Sequence, residues 1–235
     1  MAISAGPFET ILLAELRLGL PPLFYWHLQE IKDDWALVLK LHALFEGTLT
    51  KLVTDKIALR NIKHEHLTPY DTFVSHVQLA ERLKLIEPDC RNYLVSLNRL
   101  RNEITHNIRF INLRLQDYFD SLSERDFRRA SLGLGAGFKN MPLSSEPALT
   151  KILEGRMPKY TPTTVRELYM CVLPKITIWY GGSFVLDTLS LHFHFEIIGD
   201  SFNAEPEIEA KLQDLLLDPE VIAFRRKFEK EMPGF

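Results

Sequence analysis

Between residues 97 and 110 the chain reads LNRLRNEITHNIRF, and within it Arg101, Asn102 and His106 are the side chains best suited to chemistry. A guanidinium offers a fixed fork of donors to the oxygens of one anion, and an imidazole titrates close enough to neutrality to move a proton. An amide such as Asn102 can hold either partner. With 15 Arg and 8 His in the chain, an Arg-x4-His pair is expected roughly half a time by chance, and requiring Asn after the Arg lowers this to about 0.02. The stretch Arg60-Asn61-Ile62-Lys63-His64-Glu65-His66 competes, with its second histidine six positions beyond the arginine. It falls in a polar connection, whereas Arg101 to His106 closes a strongly apolar helix.

Other chemistries find little support. There is no Gly-x-Ser-x-Gly elbow, no His-Glu-x-x-His pair and no phosphate loop, since GLGAG at 133–137 follows a basic helix and lacks the Lys-Ser/Thr. His64-Glu65-His66 and His192-x-His194 lack a third and fourth ligand, so no metal and no cofactor is expected. Cys90 and Cys171, 81 residues apart, read as buried or inert thiols.

Several helices must position the cluster. Asp33-Asp34 can cap a helix over about 33–59, whose stripe is Trp35, Val38, Leu39, His42, Phe45, Leu49, Leu52 and Val53. Phe73 to Leu85 makes a second, and Glu87-Pro88-Asp89 starts a third with Tyr93, Leu94, Leu97, Leu100 and Ile104 inward. A fourth runs through Ile111, Leu115, Tyr118, Phe119 and Leu122. At 100° per residue His106 lies about 140° further round than Arg101. The two therefore converge only if the helix ends or bends near Thr105-His106-Asn107, or through a second copy of the chain.

The segment 131–147, with Gly133, Gly135, Gly137 and Pro142, reads as a loop or hinge. Residues 1–32 form an N-terminal segment packing on a bundle over 33–130, and 148–235 form a C-terminal helical extension. In that extension, Val165 to Val172, an apolar stretch from Ile176, Glu205 to Leu217 and Pro219 to Glu231 are the elements, with a strand over Ser190 to Ile198 left open. The fold class expected is all-α.

Composition bounds the function. At 235 residues, 46% hydrophobic and 25% charged, the chain is neither disordered nor a repeat array. Its net charge of −3 argues against a protein that coats nucleic acid, yet residues 91–139 carry nine Lys/Arg against five acids, a locally anion-attracting stretch. The longest uncharged run of the apolar C-terminal half, Ile176 to Leu186, is far below the roughly 20 residues of a membrane span. With no basic leader before the first apolar stretch, a cytoplasmic location and no membrane partner are expected.

Arg101-Asn102-x-x-x-His106 at the end of a bundle helix resembles the Arg-x(4 to 6)-His motif of the HEPN superfamily (higher eukaryotes and prokaryotes nucleotide-binding), whose commonest form has Asn after the Arg. The helix containing LHALFEGTLTKLV is similar to the one that packs on the motif helix in those antiparallel four-helix bundles. The resemblance covers residues 33–122. It implies a homodimer with two motifs facing across the interface, a composite metal-independent endoribonuclease site, and a role as a toxin of a toxin–antitoxin pair or an antiphage effector. Arg101 and His106 then match the defining positions and Asn102 the frequent third. Ile108 stands where one variant of the motif has Tyr, which counts against a nucleotidyltransferase antitoxin; another antitoxin or regulatory protein stays open.

On that resemblance the substrate is RNA, whose own 2′-hydroxyl is the nucleophile. His106 deprotonates it, Arg101 holds the phosphate, and the products are a 2′,3′-cyclic phosphate and a 5′-hydroxyl. Helix packing, not the motif, suggests Glu46 on the neighbouring helix to orient Arg101, and the local positive charge suggests Arg99, Arg109 and Arg114 to guide the RNA backbone. Two alternatives accompany this reading. One is a catalytically inactive HEPN-like module for dimerisation or protein binding, its charged C-terminal helices docking on a partner. The other is a small-ligand binder using Trp179-Tyr180-Gly181-Gly182.

Overall fold

The structure is a computed structural model, and it describes residues 6–59, 72–107, 110, 112, 114–145, 159–192 and 206–231. It is all-α. Among the described residues there are eleven α-helices, and the only β pairing is an isolated bridge between Pro142 and Thr164. They are α1 (Pro7–Arg17), α2 (Phe24–His27), α3 (Asp34–Leu59), α4 (Phe73–Arg82), α5 (Pro88–Thr105), α6 (Leu115–Ser121), α7 (Glu124–Leu134), α8 (Val165–Val172), α9 (Pro174–His192), α10 (Pro206–Leu216) and α11 (Pro219–Glu231).

The expected starts of α3, α4 and α5 rest on local chemistry. Thr72 caps α4 by accepting from the Ser75 amide, and Pro88 occupies the first turn of α5, where its missing N–H costs nothing. Two helices escape an apolar-stripe reading. In α1 one face packs on α9 and another on α10, so Glu9, Thr10 and Glu15 are buried beside Ile11 and Leu12 and no one-sided stripe shows. In α7 the Ser123 hydroxyl accepts from the Asp126 amide and starts a helix that runs through Leu134.

The glycines expected to form a hinge instead lie in close contacts. A Cβ on Gly133 would sit 2.0 Å from Ser96 Oγ, so its absence lets α7 lie directly on α5. A Cβ on Gly181 would sit 2.5 Å from the Leu134 carbonyl oxygen, and one on Gly182 would meet the hydroxyls of Tyr25 and Tyr93 at 2.8 Å. Those tyrosines donate to carbonyls of α9, Tyr93 to Ile178 at 2.8 Å and Tyr25 to Trp179. The Trp179-Tyr180-Gly181-Gly182 segment is thus filled by the chain's own side chains. Residues 190–192 continue α9 as helix; the rest of the stretch considered for a strand lies outside the described residues.

One hydrophobic core runs from Phe8 in α1 to Phe228 in α11, on both sides of 131–147. Trp26 is fully buried, with Phe8 stacked on it at 5.3 Å and Phe228 edge-on at 4.5 Å. Arg225 adds an ion pair to Glu9 at 2.6 Å. The C-terminal helices therefore dock on the N-terminal ones of their own chain through one face.

Candidate functional site

The end of α5 is built from its last-turn carbonyls, which an α-helix leaves without amide partners. The Thr105 hydroxyl donates to the Arg101 carbonyl at 2.8 Å, and the His106 amide donates to the Asn102 carbonyl at 3.0 Å. His106 is the C-cap, with φ −88° and ψ −2°, so α5 ends at Thr105 and the histidine is exposed at its tip. Asn102 and His106, four residues apart, lie within about 40° of each other around the axis.

Arg101 is half-buried on α5, three residues after Asn98, which meets His42 of α3. Its Nη1 donates to Asn102 Oδ1 at 2.9 Å. Among the described residues no carboxylate pairs with it. Among the described residues its remaining donors are not committed to an acid, and Asn102, which holds the guanidinium, is itself one turn before His106.

Glu46 does not orient Arg101 through an ion pair. It is half exposed, and its Oε2 lies 3.9 Å from Nδ1 of His42, one turn earlier on α3. Arg99 is tied to Glu103 at 2.8 Å and lies 3.7 Å from Asp126, and Arg114 pairs with Asp117 at 3.2 Å. All three acids are among the five already counted within 91–139, so both arginines are engaged while the local excess of positive charge is unchanged. Glu103 also accepts a hydrogen bond from Tyr118. Arg109 lies outside the described residues, as do His64, His66 and His194, and His192 is described only as the last residue of α9.

A second polar pair lies beneath the motif. His42, in the apolar row of α3, is 6% exposed, and its Nε2 lies 3.0 Å from Asn98 Oδ1 on α5. The Phe73 ring of α4 packs on the imidazole at 4.5 Å. Burial pushes the His42 pKa below the ordinary imidazole value and the Arg101 charge acts the same way, against the Asn98 hydrogen bond and Glu46. The sequence places His42 in a buried stripe and Asn98 one turn before Asn102, but their pairing depends on how α3 and α5 align.

Comparison with protein-family models, curated proteins and solved structures returns no match.

Among the described residues no cluster of three His, Cys, Asp or Glu side chains is arranged to hold a metal ion. Burial pushes both thiols up to about 11, which leaves them protonated and poorly nucleophilic at neutral pH. No described helix is long and apolar enough to cross a membrane. Arg166, though buried, is committed to structure: it binds Asp89 at 2.6 Å and the carbonyls of Leu132 and Phe138 at 2.8 Å. The end of α5 is the described place where a cation without an acid partner, an amide and an exposed imidazole fall within six residues.

Proposed function

We propose that the protein is a metal-independent endoribonuclease of HEPN type that works as a homodimer, in the setting of a toxin or an antiphage effector. The observation that carries the reading is the Arg101 guanidinium, unpaired with any described carboxylate and bonded to Asn102 on the helix end capped by the exposed His106. A guanidinium so held can bind a phosphate through two donors. An exposed imidazole can reach a ribose hydroxyl that a buried one cannot.

In the proposed reaction His106 takes the proton of the ribose 2′-hydroxyl as O2′ attacks the adjacent phosphorus. The P–O5′ bond breaks, the leaving oxygen gains a proton, and the products are a 2′,3′-cyclic phosphate and a 5′-hydroxyl. Arg101 stabilises charge on the non-bridging phosphate oxygens, and Asn102 fixes the guanidinium. Pairing two copies through the outward side of α5 would bring two such sets together and supply a second imidazole for the leaving group.

The test is incubation of labelled RNA with the protein in EDTA, beside Arg101→Ala and His106→Ala. Cleavage by the wild-type protein, lost by at least about a hundredfold in both variants while they stay folded, is the expected result. Absence of cleavage across RNAs and salt concentrations leaves the inactive dimerisation module as the reading.

A further inference from the structure

We infer that His42 is a positioning residue for the Arg101 guanidinium, acting through its buried hydrogen bond to Asn98. The inference rests on Arg101 being the phosphate-binding group proposed above. A buried imidazole beside Val38, Phe45 and Leu49 costs stability compared with a leucine unless it is hydrogen-bonded, and even then gains little over an apolar side chain. Such groups do have one well-attested use: a single buried polar contact between helices fixes their register.

The register in question is that of α3 against the last two turns of α5. Asn98 lies three residues before Arg101 and four before Asn102, so all three occupy neighbouring positions on one side of α5. The His42 ring is held from three directions, by Asn98 on α5, the Phe73 ring on α4, and its own helix, where Glu46 Oε2 is 3.9 Å away. Sliding or rotating α5 on α3 would break the 3.0 Å bond to Asn98, and the same movement would displace Arg101 and the Asn102 that holds it. A leucine at position 42 would pack in that row without specifying the alignment.

A structural role and a positioning role predict different responses to His42→Leu. If His42 serves stability alone, activity falls only as far as the folded fraction falls. If it positions Arg101, the variant melts at or above the wild-type temperature, yet kcat for RNA cleavage drops about ten- to hundredfold with KM changed much less, as expected of a small misplacement of a catalytic group. His42→Gln, which keeps a donor for Asn98, restores part of kcat. Asn98→Ala, which removes the same bond from the other side, reproduces the loss and serves where His42→Leu does not fold.

Ordering of Arg101 is read independently of cleavage from its Nε–H resonance, assigned by its disappearance in Arg101→Lys. The resonance is expected to shift or broaden in His42→Leu and Asn98→Ala and to stay near its wild-type position in His42→Gln. If the wild-type protein cleaves no RNA, the nuclease reading falls and this resonance alone decides the inference. Wild-type kcat together with an unmoved Arg101 resonance in His42→Leu and Asn98→Ala would overturn it while leaving the nuclease reading intact.

Discussion

The Arg101 guanidinium donates to the side-chain oxygen of the residue beside it, Asn102, at 2.9 Å. A neutral acceptor can hold a guanidinium without cancelling its charge, and a carboxylate in the same place cannot. Asn102→Asp is therefore expected to weaken RNA binding more than Asn102→Ala does, by about tenfold or more at low salt, because the new carboxylate pairs with Arg101 and repels phosphate. Filter binding or fluorescence anisotropy with the two variants checks this. Equal affinity for Asn102→Asp and wild type would mean that Arg101 does not meet the RNA.

Glu15 supplies a pH dependence of stability unrelated to the site. Its Oε1 accepts from the Tyr25 amide at 2.6 Å while Oε2 is buried with no partner, and burial pushes its pKa from 4.5 up to about 7. The folded chain thus keeps this proton over a range where the unfolded chain has released it. The contribution to stability is fully present below about pH 4.5, shrinks as pH rises, and is gone above about pH 7, with a total on the order of 3 kcal/mol. Urea unfolding at pH 5 and pH 8 should show a smaller difference for Glu15→Gln than for wild type, by an amount of that order.

Close packing of α7 on α5 is set by Gly133. A methyl there would lie 2.0 Å from Ser96 Oγ, 2.8 Å from Ser96 Cβ and 3.0 Å from the Asn92 carbonyl oxygen. Gly133→Ala is expected to lower stability by about 1–3 kcal/mol through overpacking, even though alanine favours helix. Adding Ser96→Gly removes two of the three contacts and should recover part of the loss in denaturant titrations.

The docking of α11 rests on aromatic burial more than on charge. Phe228 lies 4.5 Å from Trp26 and 6.4 Å from Trp179, ring centre to ring centre. Phe228→Ala should cost about 3–5 kcal/mol and speed amide exchange in α11. Arg225→Ala, which removes a partly exposed pair with Glu9, should cost under about 1 kcal/mol. The reverse order would assign the docking to the ion pair.

Much of this architecture was legible before any coordinates, for physical reasons that differ between elements. The stripe through Val38, Phe45 and Leu49, and that through Tyr93, Leu97 and Leu100, read clearly because each helix buries one face and exposes another. The two charged helices at the C-terminus read clearly for the same reason. In α1 the pattern fails, since Glu9 and Glu15 are buried with the leucines around them. The glycines near 135 suggest a break because glycine destabilises an isolated helix, whereas here they are the points where α7, α8 and α9 approach one another or α5. At the site, Arg101, Asn102 and His106 are visible from spacing because they lie within one helix end. The His42–Asn98 bond, joining residues 56 apart, depends on tertiary alignment and leaves only a faint trace, a histidine in an apolar row. Helix proximity alone suggests Glu46 as a partner for Arg101, whereas the ion contact it makes is with His42, one turn earlier on its own helix.

The most direct measurement of the central claim is cleavage, in EDTA, of an RNA carrying a single 2′-deoxy nucleotide at a mapped cleavage position, with analysis of the product ends. The account predicts scission everywhere except at that linkage, ends bearing 2′,3′-cyclic phosphate and 5′-hydroxyl, and no products from His106→Ala. Cutting at the deoxy linkage, or undiminished cleavage by His106→Ala and Arg101→Ala, would contradict it.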